Sequence, residues 1–259
     1  MEGFTESSSV GKCNRMPFPE LLEHDRKVVR NSKMFLELKD KLASFVSEID
    51  RVRCLALGSF SKDSPARYQL ALLLEMIDFL TSASIRCSVY DPVFNKDDIK
   101  FIESLGDSWS VDEKVPWDLE CSRNTLYYLP HAPLSLSEVV VKEEQPRIFL
   151  ANHLLQHTDR YTKQELFEKY PLMSKLVNLL NLGGLGSCPM VNDGFVRYVS
   201  KKSRKRRNKI QYREPELEFD AIESYFTDCR ILTDFESGKL LRNSIWLNAF
   251  SDLTLHCIE

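Results

Sequence analysis

Glycine is scarce in this chain, with nine in 259 residues, about half the share of roughly 7% usual in proteins. A phosphate-cradling P-loop or a full G-x-G-x-x-G dinucleotide fingerprint needs glycines clustered ahead of a helix, and the chain has neither. Long hydrophobic runs are lacking too. The longest, Leu70 to Leu74, has five residues, where a membrane-spanning helix needs about 20. The opening MEGFTESSS is acidic and hydroxyl-rich, unlike a secretory leader, so the expectation is an intracellular chain with no membrane contact. The seven cysteines (Cys13, Cys54, Cys87, Cys121, Cys188, Cys229 and Cys257) stand at least 28 residues apart. That spacing excludes C-x-x-C zinc or redox motifs and predicts reduced, mostly buried thiols.

What remains is an ordinary globular composition, 43% hydrophobic and 28% charged with a net charge of −3, long enough to bury a sizeable core. Residues 1–50 read as an N-terminal extension. After Pro17 and Pro19, apolar residues from Met34 to Ile49 recur at three- and four-residue steps, which predicts one amphipathic helix over 20–49 packed on the core. From Arg51 the pattern changes to short apolar runs alternating with helical segments. VRCLALGSF reads as a strand ending at Gly58, and Pro65 behind Ser64 opens a helix over 65–80. IRCSVYD, TLYYL and RIFLA read as further strands, with helices over 97–105 and 137–142 between them. The stretch 109–117 has no clear pattern. Strands and helices alternating at this spacing predict an α/β domain over 51–259 with a Rossmann-like, mostly parallel sheet and helices on both faces. A divergent insertion over about 161–228 holds a helical pair broken at Pro171. CRILTDF resumes the sheet, and IWLNAF and LTLHCI read as antiparallel C-terminal edge strands.

In an open parallel sheet, ligands bind outside the carboxyl ends of the strands. The residues there are Gly58, Ser59, Asp91, His131 and Asn152, with Asp234 less clearly placed. Gly58 permits close backbone approach, the helix over 65–80 offers N-terminal amides, and Asp91 suits a ribose-like hydroxyl. Polar residues and a lone glycine are equally ordinary at strand ends. Arg67 in the first helical turn opposes the macrodipole and calls for an anionic partner, either a ligand phosphate or a protein carboxylate, Asp63 or Asp91. His131 sits between Pro130 and Pro133 with no nucleophile motif such as G-x-S-x-G beside it, so a structural or ligand hydrogen bond is its expected role. His153 and His157 are four apart, but Leu154 stands where an H-E-x-x-H acid would, and no metal site is expected. Cys188-Pro189 resembles a haem-regulatory dipeptide no more than chance allows.

The most specific composition is KKSRKRRNK. Lys201, Lys202, Arg204, Lys205, Arg206, Arg207 and Lys209 put seven cations in nine residues, so the net charge of −3 splits into +7 here and −10 elsewhere. The run reads as a mobile loop, and an import receptor, an acidic protein, nucleic acid or plain solvent are its candidate partners. No aromatic is interleaved, so base stacking is not indicated.

The segments RCLALGSFSKDSPARYQLALLLEM, VYDPVF, TLYYLPHAP, LANH and NAFSDLTLH, taken in order, resemble the SRR-like family, named for a plant phenotype of reduced sensitivity to red light. The match covers about 51–160 and 246–258, and the compact, divergent style suggests a fungal member. The resemblance implies an intracellular regulatory protein. The family is associated with circadian-clock input, with haem biosynthesis and with microtubule-related processes, and no settled catalytic activity comes with it. The chain departs from the family pattern at Ala132 and His153, where cysteine and serine are usual, so no thiol or hydroxyl mechanism is carried over. The leading expectation is a regulatory or adaptor protein of cytoplasm and nucleus, leaning away from catalysis, with no cofactor named. It would hold a small nucleotide-like ligand among Gly58, Ser59, Arg67, Asp91, His131 and Asn152. The rival is a transferase using a nucleotide or S-adenosylmethionine, which an acid ending the second strand and an antiparallel C-terminal edge would suit. A third reading is a binder of acidic partners or nucleic acid through residues 201–209.

Overall fold

A computed structural model describes residues 16–80, 85–113, 123–184, 216–242, 245–246 and 248–259. Seven strands form one sheet: β1 (Arg51–Leu55), β2 (Arg86–Tyr90), β3 (Trp109–Val111), β4 (Thr125–Leu129), β5 (Ile148–Asn152), β6 (Cys229–Thr233) and β7 (Leu253–Ile258). Their order is β3-β2-β1-β4-β5-β7-β6. The first five pair in parallel, and β7 lies antiparallel between β5 and β6. The α/β class, the mostly parallel sheet and the antiparallel C-terminal strands are therefore as the sequence predicts, with β6 rather than β7 at the edge.

The inner strands read as continuous apolar runs because both of their faces are covered. On β1, Val52 and Cys54 enter one hydrophobic cluster and Leu55 the other; on β5, Ile148 and Leu150 part from Phe149 and Ala151 in the same way. The first cluster is closed by α1 (Phe18–Arg30), α2 (Lys33–Leu42), α3 (Ser64–Leu80) and α4 (Lys96–Ser104). The second is closed by α5 (Leu134–Glu143), α6 (Leu154–Thr158), α7 (Lys163–Lys169) and α8 (Pro171–Gly184). Helix α3 is apolar almost all round because it is buried along most of its length. The four described cysteines, Cys54, Cys87, Cys229 and Cys257, are buried and unpaired, and burial pushes the Cys229 thiol up to about 12.

Four local readings are corrected. Residues 20–49 make two helices and a short 3-10 turn rather than one helix. The break falls at Ser32, whose side chain accepts from Phe35 N at 3.1 Å and starts α2 afresh. Both helices share their cluster with the sheet, through Val29, Met34, Phe35, Leu38 and Leu42. Strand β1 stops at Leu55, short of Gly58, because Ala56 turns to φ 57°. The stretch from Trp109 begins with β3, too short for a periodic signal. Finally, the described residues of IWLNAF form turns, not a strand. Trp246 and Phe250 are buried, Trp246 Nε1 donates to Leu241 O at 3.0 Å, and Gln69 Nε2 donates to Ala249 O at 2.8 Å. Those bonds fold the segment back over α3.

Polar groups also enter the core. Arg53, in the middle of β1, donates to buried Glu144 and to Asp112, with 2.7 Å and 2.8 Å ion-pair contacts. Glu75 on α3 takes Arg26 and Arg30 of α1, each at 2.7 Å. Burial would raise the Glu75 carboxyl, but the hydrogen bonds from the two arginines outweigh it and hold the group below its usual range.

Candidate functional site

The strand order reverses between β1 and β4, and this topological switch point is where sheets of this kind open a crevice. A cavity of about 340 Å³ lies there. Its walls include Gly58 after β1, Asp91 after β2, His131 after β4, Pro65 and Gln69 of α3, and Asn248 from the turn ahead of β7. Three of the six residues named from the sequence thus meet around one opening.

The backbone after β1 is shaped for this close approach. Ala56 has φ 57° and Gly58 φ 79°, conformations that cost a side chain about 1–2 kcal/mol. A Cβ at Gly58 would stand 3.2 Å from the Ala66 Cβ. Asp91 fastens the rim, accepting from Gly58 N at 2.8 Å through Oδ2 and from Val93 N at 2.9 Å through Oδ1. Each carboxylate oxygen has two lone pairs, so both retain capacity for a ligand hydroxyl.

The other three residues have protein partners. Ser59 donates to Asp98 Oδ2 at 2.7 Å, and the fully buried Asp98 also accepts from Ser61 N and Asn95 N. This network rivets the loop beneath the crevice and caps α4. Arg67 Nε donates to Asp25 Oδ2 at 2.6 Å. Its anionic partner is therefore a buried carboxylate on α1, 42 residues away in the chain. Asn152 lies one strand further along the carboxyl edge, where its Nδ2 donates to both oxygens of Asp252 at 3.1 Å.

Around Asn152 lies a polar nest that sequence reasoning did not assemble. His157 Nδ1 is 3.7 Å from Asp252 Oδ2, and the His153 and His256 rings meet edge to face with centroids 6.5 Å apart. His256 pairs with Phe149 across β5 and β7, and its Nδ1 is 3.2 Å from the Phe149 carbonyl. Among the described residues, the buried polar side-chain atoms without a hydrogen-bond partner are Asn152 Oδ1, His153 Nδ1, His157 Nε2, Thr254 Oγ1 and His256 Nε2. All fall in this nest. Burial lowers His256 to about 3 and lowers His153, whose fall Asp234 and Asp252 oppose. Burial would push Asp252 up, but His157, Asn152 and His131 together bring it below the usual carboxylate range. The advance signals of the nest were the spacing of His153 and His157, Asn152 at a strand end, and the presence of Asn152, His153, Asp252 and His256 in LANH and NAFSDLTLH, two segments of the family resemblance.

Among the described residues, no group of three His, Cys, Asp or Glu side chains is placed to hold a metal ion, and no helix is long and apolar enough to cross a membrane. A larger cavity of about 500 Å³ lies between α5, α8 and residues 222–225. Its half-buried acid, Glu138, is already engaged, accepting from Leu172 N and Met173 N at 3.0 and 2.8 Å to cap α8. The basic run Lys201, Lys202, Arg204, Lys205, Arg206, Arg207 and Lys209 lies outside the described residues, as does Cys188-Pro189.

The chain is similar to an SRR1-like protein of Mus musculus, 25% identical over 144 residues that make up 53% of this chain and 57% of the mouse protein. It is also similar to an SRR1-like protein of Drosophila melanogaster, 31% identical over 122 residues, 45% of this chain and 43% of the fly protein. It therefore spans about half the length of the relatives it matches. No solved structure matches it. The SRR1 domain matches residues 37–257, from within α2 to the penultimate residue of β7. With nearly the whole sheet and both clusters inside that match, the chain belongs to the SRR1 domain family.

Proposed function

We propose that this SRR1-domain protein is a regulatory protein of cytoplasm and nucleus whose α/β domain holds a small nucleotide-like ligand in the crevice between β1, β2 and β4. The observation that carries this reading is the meeting of Gly58, Asp91 and His131, from three different strand ends, around a cavity of about 340 Å³ at the switch point. Asp91 would accept from a ribose diol, the Gly58 backbone would allow close approach, and His131 would orient the ligand. Asn152 stands outside the cavity lining and donates to Asp252. The family's associations with clock input, haem biosynthesis and microtubule-related processes give the regulatory role its setting.

Val93 lines the crevice and is 59% exposed, so Val93→Trp obstructs the opening without disturbing the core. Adenosine-containing compounds are expected to raise the melting temperature of the wild-type chain and not that of Val93→Trp. No shift with any of them, or an equal shift in both proteins, would refute ligand binding at this crevice and leave a pure interaction protein.

The transferase reading is favoured by one specific observation. The antiparallel β7 lies between β5 and β6, an arrangement that suits transferases using S-adenosylmethionine, though fold alone does not establish function. Transfer of a labelled methyl group from S-adenosylmethionine in purified protein, lost in Val93→Trp, would establish it. The basic run over 201–209 is proposed as an import signal or a seat for an acidic partner. Its deletion should abolish nuclear accumulation, and persistence in the nucleus would end the import reading.

A further inference from the structure

Charge at the crevice bears on which nucleosides can enter. Among the described residues, the side chains lining it include two carboxylates, Asp63 and Asp91, one imidazole, His131, and no lysine or arginine. Arg67 is the nearby cation that the start of α3 supplies, and its guanidinium is bound to buried Asp25 at 2.6 Å. Lys62 is exposed and outside the lining. Helix N-termini that hold phosphate present free amides to it. Here Pro65 has no N–H, and Arg67 N is committed to the Asp63 carbonyl at 3.0 Å, which leaves Ala66 N as the first-turn amide among the lining residues. The Asp63 side chain adds negative charge at the same end.

A phosphate entering this crevice meets acids where a nucleotide site offers cations and amides, and like charges at a few ångströms repel. A neutral ribose meets acceptors that match its hydroxyls, and a sulfonium or ammonium tail is attracted. Leu57, Pro65, Ala66 and Val93 give the base an apolar wall. We infer that the crevice selects its ligand by charge, taking a neutral or cationic nucleoside and refusing one that bears phosphate. This rests on the ligand reading above and sharpens it, turning the nucleotide-like ligand expected from the sequence into a nucleoside without phosphate.

Equilibrium dialysis of the full chain at low, constant ionic strength tests it, with adenosine, S-adenosylmethionine, AMP and ATP as probes. Adenosine and S-adenosylmethionine are expected to bind, and AMP and ATP to bind at least tenfold more weakly. Asp63 is exposed, so Asp63→Lys leaves the fold intact; it should raise the affinity for AMP relative to adenosine several-fold. AMP or ATP binding as tightly as adenosine would overturn charge selection while leaving the crevice as a ligand site, as would an Asp63→Lys protein with an unaltered affinity for AMP relative to adenosine. Binding of none of the four would overturn the ligand reading itself, and charge selection with it.

Discussion

At the scale of single residues, Gly58 is the position where the crevice depends most directly on side-chain identity. Its φ of 79° and the 3.2 Å approach to Ala66 mean that Gly58→Ala combines backbone strain with crowding. A loss of about 1–2 kcal/mol is expected, read as a lower midpoint in urea, whereas Ala56→Gly, at φ 57°, should stabilise the chain. Arg53 makes a different case. Its side chain is 6% exposed and that of Glu144 2%, so Arg53→Ala strands a buried carboxylate at a cost of about 3–5 kcal/mol. The paired change Arg53→Met with Glu144→Gln should lose less than Arg53→Ala alone, and urea denaturation of both variants checks the order. The role of Gly58 was legible in the sequence; that of Arg53 was not. Arg53 reads as an interruption of an apolar run, and its partners stand 59 and 91 residues away. Arg67 did announce itself, because a cation in a first helical turn needs compensation, but nothing local points to Asp25.

At the scale of elements, legibility follows burial and length. Strands β1, β4 and β5 are covered on both faces, so their apolar runs stand out, and Pro65 marks the start of α3. Strand β3, with three residues, and α6, with five, are too short for either period to register. Trp246 and Phe250 gave a strand-like run, yet their burial comes from turns held by the Leu241 carbonyl and by Gln69. The pair β5–β7 carries the clearest pH prediction. His256 is fully buried on β7 and lowered from 6.5 to about 3, so the folded state favours the neutral ring. That contribution to stability is complete above pH 6.5 and is lost as pH falls from 6.5 towards about 3, with His153 acting in the same direction. One such group gives a slope approaching 1.4 kcal/mol per pH unit within the window. Denaturation midpoints between pH 7.5 and 5 should fall, and His256→Gln should flatten the fall. An unchanged slope in that variant would remove His256 as its source.

At the scale of the whole molecule, the glycine scarcity and the charge division come together. A sheet that reverses order between β1 and β4 opens a crevice whatever its loops contain. Here the loop after β1 shapes that crevice with one glycine and one strained alanine, held by Asp91 and Asp98, without a glycine-rich cradle. Among the described residues, no lysine or arginine lines it, while the sequence gathers seven cations in residues 201–209. This division of charge along the chain motivates the proposal of an uncharged or cationic small molecule for the crevice and another macromolecule for the basic run. The sequence could bring Gly58, Asp91 and His131 to neighbouring strand ends because strand ends can be counted. It could not sort lining residues from supporting ones, since Ser59, Arg67 and Asn152 are sorted by contacts with Asp98, Asp25 and Asp252.

Amide hydrogen exchange with and without saturating adenosine tests the central claim most directly. Slower exchange is predicted in the segments around Gly58, Asp91 to Val93 and His131, and no change around residues 222–225 beside the larger cavity. Protection at 222–225 without protection at those three strand ends, or none anywhere, would contradict a nucleoside crevice at the β1–β4 switch point.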